Sequence, residues 1–270
     1  MRDFYNIFLI LLEPINPKTK ITFPLKNYQK KFIYLSIFGV FLSISQIHSQ
    51  SVEKLSLYDY FDQAVGKDNL NINNGIVHSE PFRAIAGKNR YYIEEFNVGD
   101  ISFEGQIYSN VNLKYDILVD QVIYKQGGSS ENLPINLISE KVDYFFIKNK
   151  KFVNLKAEST KFPSVINGIY EENYIDNVSL YIKHYKEKVK VFQSDGVYYN
   201  FIYKINYILK YKNYFYKVDS QKDIKKIFPD LKKEINSFYS TNRKLERSDK
   251  TQFMENLAKQ INGFLRKSSN

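Results

Sequence analysis

Asp116 and Asp120 stand four apart at the end of the most regular hydrophobic alternation in the chain. Paired carboxylates serve glycoside hydrolysis, one donating a proton while the other acts as base or nucleophile, and they also hold hard cations. Spacing of four across a strand and a turn leaves their separation open, however, and Asp120 falls where a hairpin needs a turn former. Asp116 is therefore expected to be structural, bonded to a backbone donor or a neighbouring lysine, with Tyr115 buried beside it. The adjacent pairs Glu94-Glu95 and Glu171-Glu172 would point to opposite faces of any strand, which parts their carboxylates. His78 sits in a polar stretch with Ser79, Glu80 and Pro81, and His184 sits in a lysine-rich run. No Gly-x-Ser-x-Gly elbow frames a nucleophile for either histidine. Gly127-Gly128 lacks the Gly-Lys-Ser/Thr continuation of a phosphate-cradling loop. No catalytic, metal-ligating or cofactor-binding residue is assigned.

Composition narrows the classes further. The 270 residues include no cysteine, three histidines and no tryptophan, so a disulfide framework, a thiolate metal site and a cysteine nucleophile are excluded. The net charge of +10 invites a nucleic-acid or membrane reading. Part of it comes from Arg2, Lys18, Lys20, Lys26, Lys30 and Lys31 near the N-terminus, and the abundance of Lys, Ile, Asn, Tyr and Phe fits an AT-rich coding bias. Tyr181 to Lys190 interleaves bases with aromatics, as a groove for single-stranded nucleic acid would. The simpler expectation is an edge strand whose lysines discourage pairing with other chains, so no nucleic-acid partner is expected. A basic surface there could instead help the protein lie against an envelope of anionic glycan or lipid.

The expected compartment follows from residues 26–49. Lys26, Lys30 and Lys31 precede an apolar run from Phe32 to Ile44, and Ser45, Gln46, His48 and Ser49 follow it, which is the layout of a secretory leader cleaved before Gln50. The apolar run is shorter than the ~20 residues a bilayer-spanning helix needs, so no transmembrane helix is expected in the mature chain. The second apolar stretch, Phe4 to Leu12, followed by Pro14 and Pro17, is expected to reflect an over-extended start.

Residues 50–218 have the texture of a β domain. Val111, Leu113, Tyr115 and Ile117 alternate with Asn112, Lys114 and Asp116, and the phase flips to Val122 and Tyr124 after a turn through Leu118 to Gln121. Gly127-Gly128-Ser129-Ser130 is expected to form a loop. Further strands are expected at 135–138, 142–147 and 152–155, the last two joined by a turn at Asn149-Lys150. Others are expected at 181–192, 198–203, 207–211 and, after a Lys212-Asn213 turn, 214–218. Consecutive short strands with tight turns make a mainly β fold, an antiparallel meander forming an open sheet or partial barrel. Residues 219–270 change to helical periodicity, with helices expected at 221–228, 231–241 and 249–266, packed on the sheet as part of the same domain. Ser220 with Asp223 forms a capping box, Pro229 stops the first helix, Asp230 caps the second and Ser248 begins the third.

Gly99-Asp-Ile-Ser-Phe103-Glu-Gly105-Gln-Ile-Tyr108-Ser-Asn110-Val111-Asn-Leu113-Lys-Tyr115-Asp116-Ile-Leu-Val-Asp120-Gln-Val122 resembles a family of uncharacterised exported proteins common in Bacteroidota. Tyr214-Phe-Tyr216-Lys-Val218-Asp-Ser220, leading into Ile224, Ile227, Phe228, Pro229 and Lys232-Lys233-Glu234, is similar to the C-terminal half of the same family. The resemblance spans roughly residues 70 to 260 and implies an exported β-rich protein with a helical tail and no assigned activity. The chain is thus expected to be periplasmic or envelope-associated, a non-enzymatic scaffold whose partner is an envelope protein, a glycan or an anionic lipid surface. The rival expectation is a secreted, glycan-directed hydrolase using carboxylates, with Asp116 or Asp120 in its site.

Overall fold

A computed structural model describes residues 70–127, 133–159, 161–162 and 165–268. The leader expected over 26–49 lies outside the described residues, as does the loop beyond Gly127. Eleven strands follow one another: β1 (Gly75–Val77), β2 (Asn97–Phe103), β3 (Gln106–Asp116), β4 (Gln121–Lys125), β5 (Ile135–Leu137), β6 (Val142–Ile147), β7 (Lys150–Asn154), β8 (Ile169–Tyr174), β9 (Val178–Gln193), β10 (Gly196–Tyr211) and β11 (Tyr214–Lys217). They form one antiparallel sheet in the order β1-β5-β4-β3-β2-β6-β7-β8-β9-β10-β11. The chain meanders outward from β2 through β3, β4 and β5, returns to lay β6 on the other side of β2, and meanders outward again to β11.

Turn chemistry sets these hairpins. Glu104-Gly105, Lys148-Asn149 and Lys212-Asn213 each place two successive residues at positive φ, the backbone that two-residue hairpins require to match strand twist. The second turn sits one residue before its expected place, so β7 starts at Lys150. The flip of phase after Asp120 is a hairpin: Tyr115 faces Val122 and Leu113 faces Tyr124 across β3 and β4, with Asp120 at φ +61° in the turn. In β2, a bulge between Gly99 and Ile101 displaces Asp100, whose carboxylate accepts the Asn110 amide at 3.0 Å. A Cβ at Gly99 would stand 2.0 Å from the Phe146 carbonyl oxygen, so the close approach there requires glycine.

Three strand expectations change. β8 escapes the alternation rule because Glu171, Glu172 and Asn173 interrupt it, and Glu171 is buried all the same. Tyr198–Tyr203 and Tyr207–Tyr211 belong to one strand, since Lys204, Ile205 and Asn206 carry no turn and pair continuously with β9. Residues 181–190 are not simply an edge: β9 lies between β8 and β10 at Leu180, Tyr181 and Ile182, and only its outer half leaves one side open. The lysines that suggested an edge carry long stems, and two of them, Lys183 and Lys186, turn inward to oxygen atoms of other segments.

The C-terminal helices are α1 (Gln221–Ile227), α2 (Lys232–Thr241), α3 (Arg243–Ser248) and α4 (Lys250–Ser268). Asp223 closes the start of α1, its carboxylate accepting from the Ser220 amide at 2.9 Å and hydroxyl at 2.8 Å. Asp230 lies in a 3-10 turn rather than capping α2. Asp249 rather than Ser248 starts α4, accepting the Gln252 amide at 2.9 Å. A short α3 replaces the loop expected before it.

Two cores result. Ile101, Phe103, Leu113, Tyr115, Phe145 and Phe152 fill the first, inside β2 to β7. Leu180, Ile182, Tyr207 and Leu209 meet Ile224, Phe238, Phe253 and Leu257 in the second, so the helices pack on β9 to β11. The alternate residues Tyr181, Ile208 and Phe215 face the other side, under Ile166 and Tyr170. The fold is the expected one, a mainly β open antiparallel sheet with a C-terminal helical segment packed on it. Tyr115 is 1% exposed and edge-packed on Phe145 and Phe152 at 5.3 and 5.4 Å. Truncating it to alanine is expected to lower unfolding free energy by about 3–5 kcal/mol, read from denaturant melts.

Candidate functional site

The sheet and the segment before β2 bring the Glu171 carboxylate, the His184 imidazole, the Lys150 ammonium and the phenols of Tyr92 and Tyr203 together beneath the start of α4. Glu171 on β8 faces Ile182 of β9 and Phe152 of β7 across the ladder. Its Oε1 accepts from Lys150 Nζ at 3.0 Å and Asn173 Nδ2 at 3.1 Å, and its Oε2 from Lys150 Nζ at 2.9 Å and His184 Nε2 at 2.9 Å. His184 Nδ1 meets the Tyr203 hydroxyl of β10, and the Tyr92 ring packs on the imidazole at 4.9 Å. These groups line a cleft of about 620 Å³ that Asp249, Thr251, Gln252 and Glu255 complete from the start of α4.

Electrostatics decide what this cluster can do. Burial pushes the Glu171 carboxyl up, but hydrogen bonds from His184, Lys150 and Asn173, with the Lys150 charge, outweigh it and hold the pKa at about 2. A carboxylate so acidic cannot donate a proton near neutral pH, and its lone pairs are already taken. His184 Nε2–H donates to the Glu171 anion, and Nδ1 shares its hydrogen bond with the Tyr203 hydroxyl. Burial pushes the Tyr203 phenol up, so it remains neutral. Each of Glu171, His184, Lys150 and Tyr203 is spent on another of the four, and together they clamp β7, β8, β9 and β10.

Asp116 and Asp120 enter two other networks. Asp116 is 2% exposed; its Oδ2 pairs with Arg90 Nε at 2.9 Å, and its Oδ1 accepts the Leu118 amide at 3.0 Å and the Val119 amide at 3.4 Å. Burial raises its pKa and outweighs the Arg90 charge and both amides, which act the other way. The expected backbone donors are present, and the cation is an arginine rather than a lysine. Asp120 accepts from Tyr115 O–H at 2.5 Å, Lys183 Nζ at 2.7 Å and the Ile169 amide at 3.1 Å. Gly168 makes that approach possible, because it sits at φ +77° and a Cβ there would stand 1.8 Å from Asp120 Oδ2.

The remaining candidates are dispersed. His78 bridges Asn136 at 2.8 Å and the Tyr91 hydroxyl at 2.9 Å, so its polar stretch is tied to β5. Glu94 and Glu95 are exposed on the approach to β2. Glu171 and Glu172 do part, the first inward and the second to Lys151 at 2.7 Å. Arg90, Lys150, Lys183 and Tyr203 escape sequence reasoning; their only signal is a place in strands or loops rich in aromatics, which does not name a partner. Comparison with family models, with curated proteins and with solved structures finds no match.

The two buried carboxylates act oppositely on acid stability. Glu171 has a folded pKa below its ordinary 4.5. Its contribution is full above that value and is lost as pH falls towards 2, about 3 kcal/mol in all. Asp116 titrates high in the fold, so its protonation favours the folded state and adds nothing to the acid loss. Glu171→Gln is expected to be destabilised at about pH 7 and to show a flatter fall in melting temperature between about pH 4.5 and 2 than the unsubstituted chain. Parallel slopes would exclude Glu171 as the source.

Proposed function

We propose that the chain is an exported cell-envelope protein that works as a non-enzymatic binding or accessory scaffold. The observation that carries this is the fate of the inward-facing carboxylates. Glu171, Asp116 and Asp120 each spend their oxygen atoms on a cation and on donors of neighbouring elements, which leaves none of them free to move a proton or hold a metal ion. Chemistry-bearing residues that are consumed in joining strands leave recognition to the surface. Export is supported by the basic, apolar and polar order of residues 26–49 and by the resemblance of Gly99 to Val122 to an exported family. Among the described residues no helix is long and apolar enough to cross a membrane.

A second reading, a secreted hydrolase directed at glycans, draws on one observation: the cleft beside Glu171 holds further carboxylates, Glu172, Asp249 and Glu255. Two measurements separate and test these readings. Intact mass of the protein recovered from its own cells is expected to place the first residue near Gln50; retention of residues 26–49 would remove export. Incubating that protein with envelope polysaccharide is expected to release no new reducing ends. Release that Glu172→Gln or Glu255→Gln abolishes, with unchanged melting temperature, would put the hydrolase in place of the scaffold.

A further inference from the structure

The β9–β10 hairpin outruns the sheet that carries it. β8 pairs with β9 only through Leu180, Tyr181 and Ile182, and β11 pairs with β10 only from Ile208 to Tyr211. From Lys186 to Gln193 and from Gly196 to Tyr203 the two strands pair with each other, a ribbon of roughly 25 Å at strand rise. The 83–85 segment lies along it through one β-bridge, Ala84 to Tyr199, and through Arg83, which reaches Tyr198 and Asp195 near the tip.

Register sorts the ribbon's side chains into two faces. One carries Lys188 beside Phe201, Lys190 beside Tyr199 and Phe192 beside Val197; the other carries Glu187 beside Ile202 and Val189 beside Asn200. Phe82 covers the inner rings of the first face, edge-on to Tyr199 at 5.2 Å and Phe201 at 5.9 Å. That cover ends before the tip: Phe192 is 79% exposed, and Val197, Val189 and Ile202 are exposed as well. The ribbon's acids are spoken for, Asp195 by Arg83 at 2.8 Å and Glu187 by Lys204 at 3.8 Å. Lys188 and Lys190 form no ion pair among the described residues; Lys188 lies over the Phe82 ring at 4.0 Å. The ribbon therefore ends in bare apolar side chains flanked by uncompensated ammonium groups.

We infer that this tip docks on an anionic lipid surface, Phe192 and Val197 entering the headgroup–acyl boundary while Lys188 and Lys190 meet lipid phosphates. A narrow ribbon exposing apolar groups on both faces suits a deformable phase that can close around it, and surplus positive charge beside apolar area is the combination that interfacial binding uses. The inference deepens the scaffold reading by naming the surface that reading left open. Its test does not depend on export, which the intact mass decides separately.

The chain has no tryptophan, so Phe192→Trp supplies a single indole fluorophore at the tip. In that variant, purified from the protein's own cells, indole emission is expected to shift to the blue with phosphatidylglycerol vesicles and to stay unshifted with phosphatidylcholine vesicles. Cosedimentation of the chain with native Phe192 should weaken at least tenfold in Phe192→Ser. It should weaken about fivefold for each of Lys188→Gln and Lys190→Gln. Melting temperatures of these exposed variants should match the parent within a few degrees; if Phe192→Ser melts early, the indole signal of Phe192→Trp alone decides. No shift with anionic vesicles overturns the inference. So does a shift with a soluble polyanionic glycan in place of vesicles, and so does vesicle binding that all three substitutions leave intact.

Discussion

Lys183 reaches from β9 to the β3–β4 turn, where its ammonium meets Asp120 at 2.7 Å and the carbonyls of Asn167 and Ile169 at 3.2 and 3.0 Å. In the sheet, β9 and β3 are separated by β2, β6, β7 and β8, so this contact exists only because the sheet curls. The same approach lets the Lys186 amide donate to the Ile117 carbonyl at 3.3 Å and lets Lys186 Nζ bond the Tyr91 carbonyl at 2.7 Å. Burial lowers the Lys183 pKa and the Asp120 charge works against that lowering. A desolvated ammonium with three oxygen partners is costly to strand, so flattening the sheet would leave Lys183 without its partners, and Asp120 and Tyr115 with them.

That curl explains how polar groups can share the interior with the apolar cores. The first core needs Tyr115 among Phe145 and Phe152, yet a buried phenol must find an acceptor. Asp120 supplies it, and Lys183 then balances the charge of Asp120. Each step is required by the one before, and Gly168 is required by geometry, since any side chain would occupy the space of the carboxylate. Glu171 plays the corresponding part where β7 to β10 lie side by side, and Arg90 with Asp116 fastens the segment before β2. Directional clamps of this kind fix register in a way that apolar packing alone does not, because a slip of one residue would unpair every one of them.

Periodicity makes the middle of this architecture legible and leaves its ends and its clamps obscure. Val111 to Ile117, Val142 to Ile147 and the Lys212-Asn213 turn obey two-residue alternation or turn chemistry, which are local properties. β8 is invisible in the sequence because Glu171 is buried by partners far away along the chain, and local polarity then misleads. The division of β10 fails for the converse reason: Lys204, exposed, and Asn206, half-buried, are polar residues of a strand that pairs without interruption with β9, not of a turn. Asp116 is recognisable as structural from its neighbour Tyr115, but its partner Arg90 lies in a segment without periodicity. Ion pairing between segments is set by the curl, and the curl is a property of the whole sheet that no window of sequence contains.

The outer ribbon shows what happens where this network stops. Within the sheet, apolar side chains on β9 and β10 are covered by helices on one side and by Ile166, Tyr170 and Phe215 on the other. Past Lys186 and Tyr203 the ladder continues with no second layer, and a two-stranded ribbon in water is marginal by itself. Phe82 against Tyr199 and Phe201, and Arg83 against Tyr198 and Asp195, hold one face and the tip turn. These contacts are sufficient to order the backbone but leave Phe192 and Val197 outside them. Alternating lysines on β9 then protect its open side against strand addition by another chain. Protection of the edge together with exposure of the faces leaves one direction of approach favourable, end-on, which is the geometry in which a ribbon meets a surface.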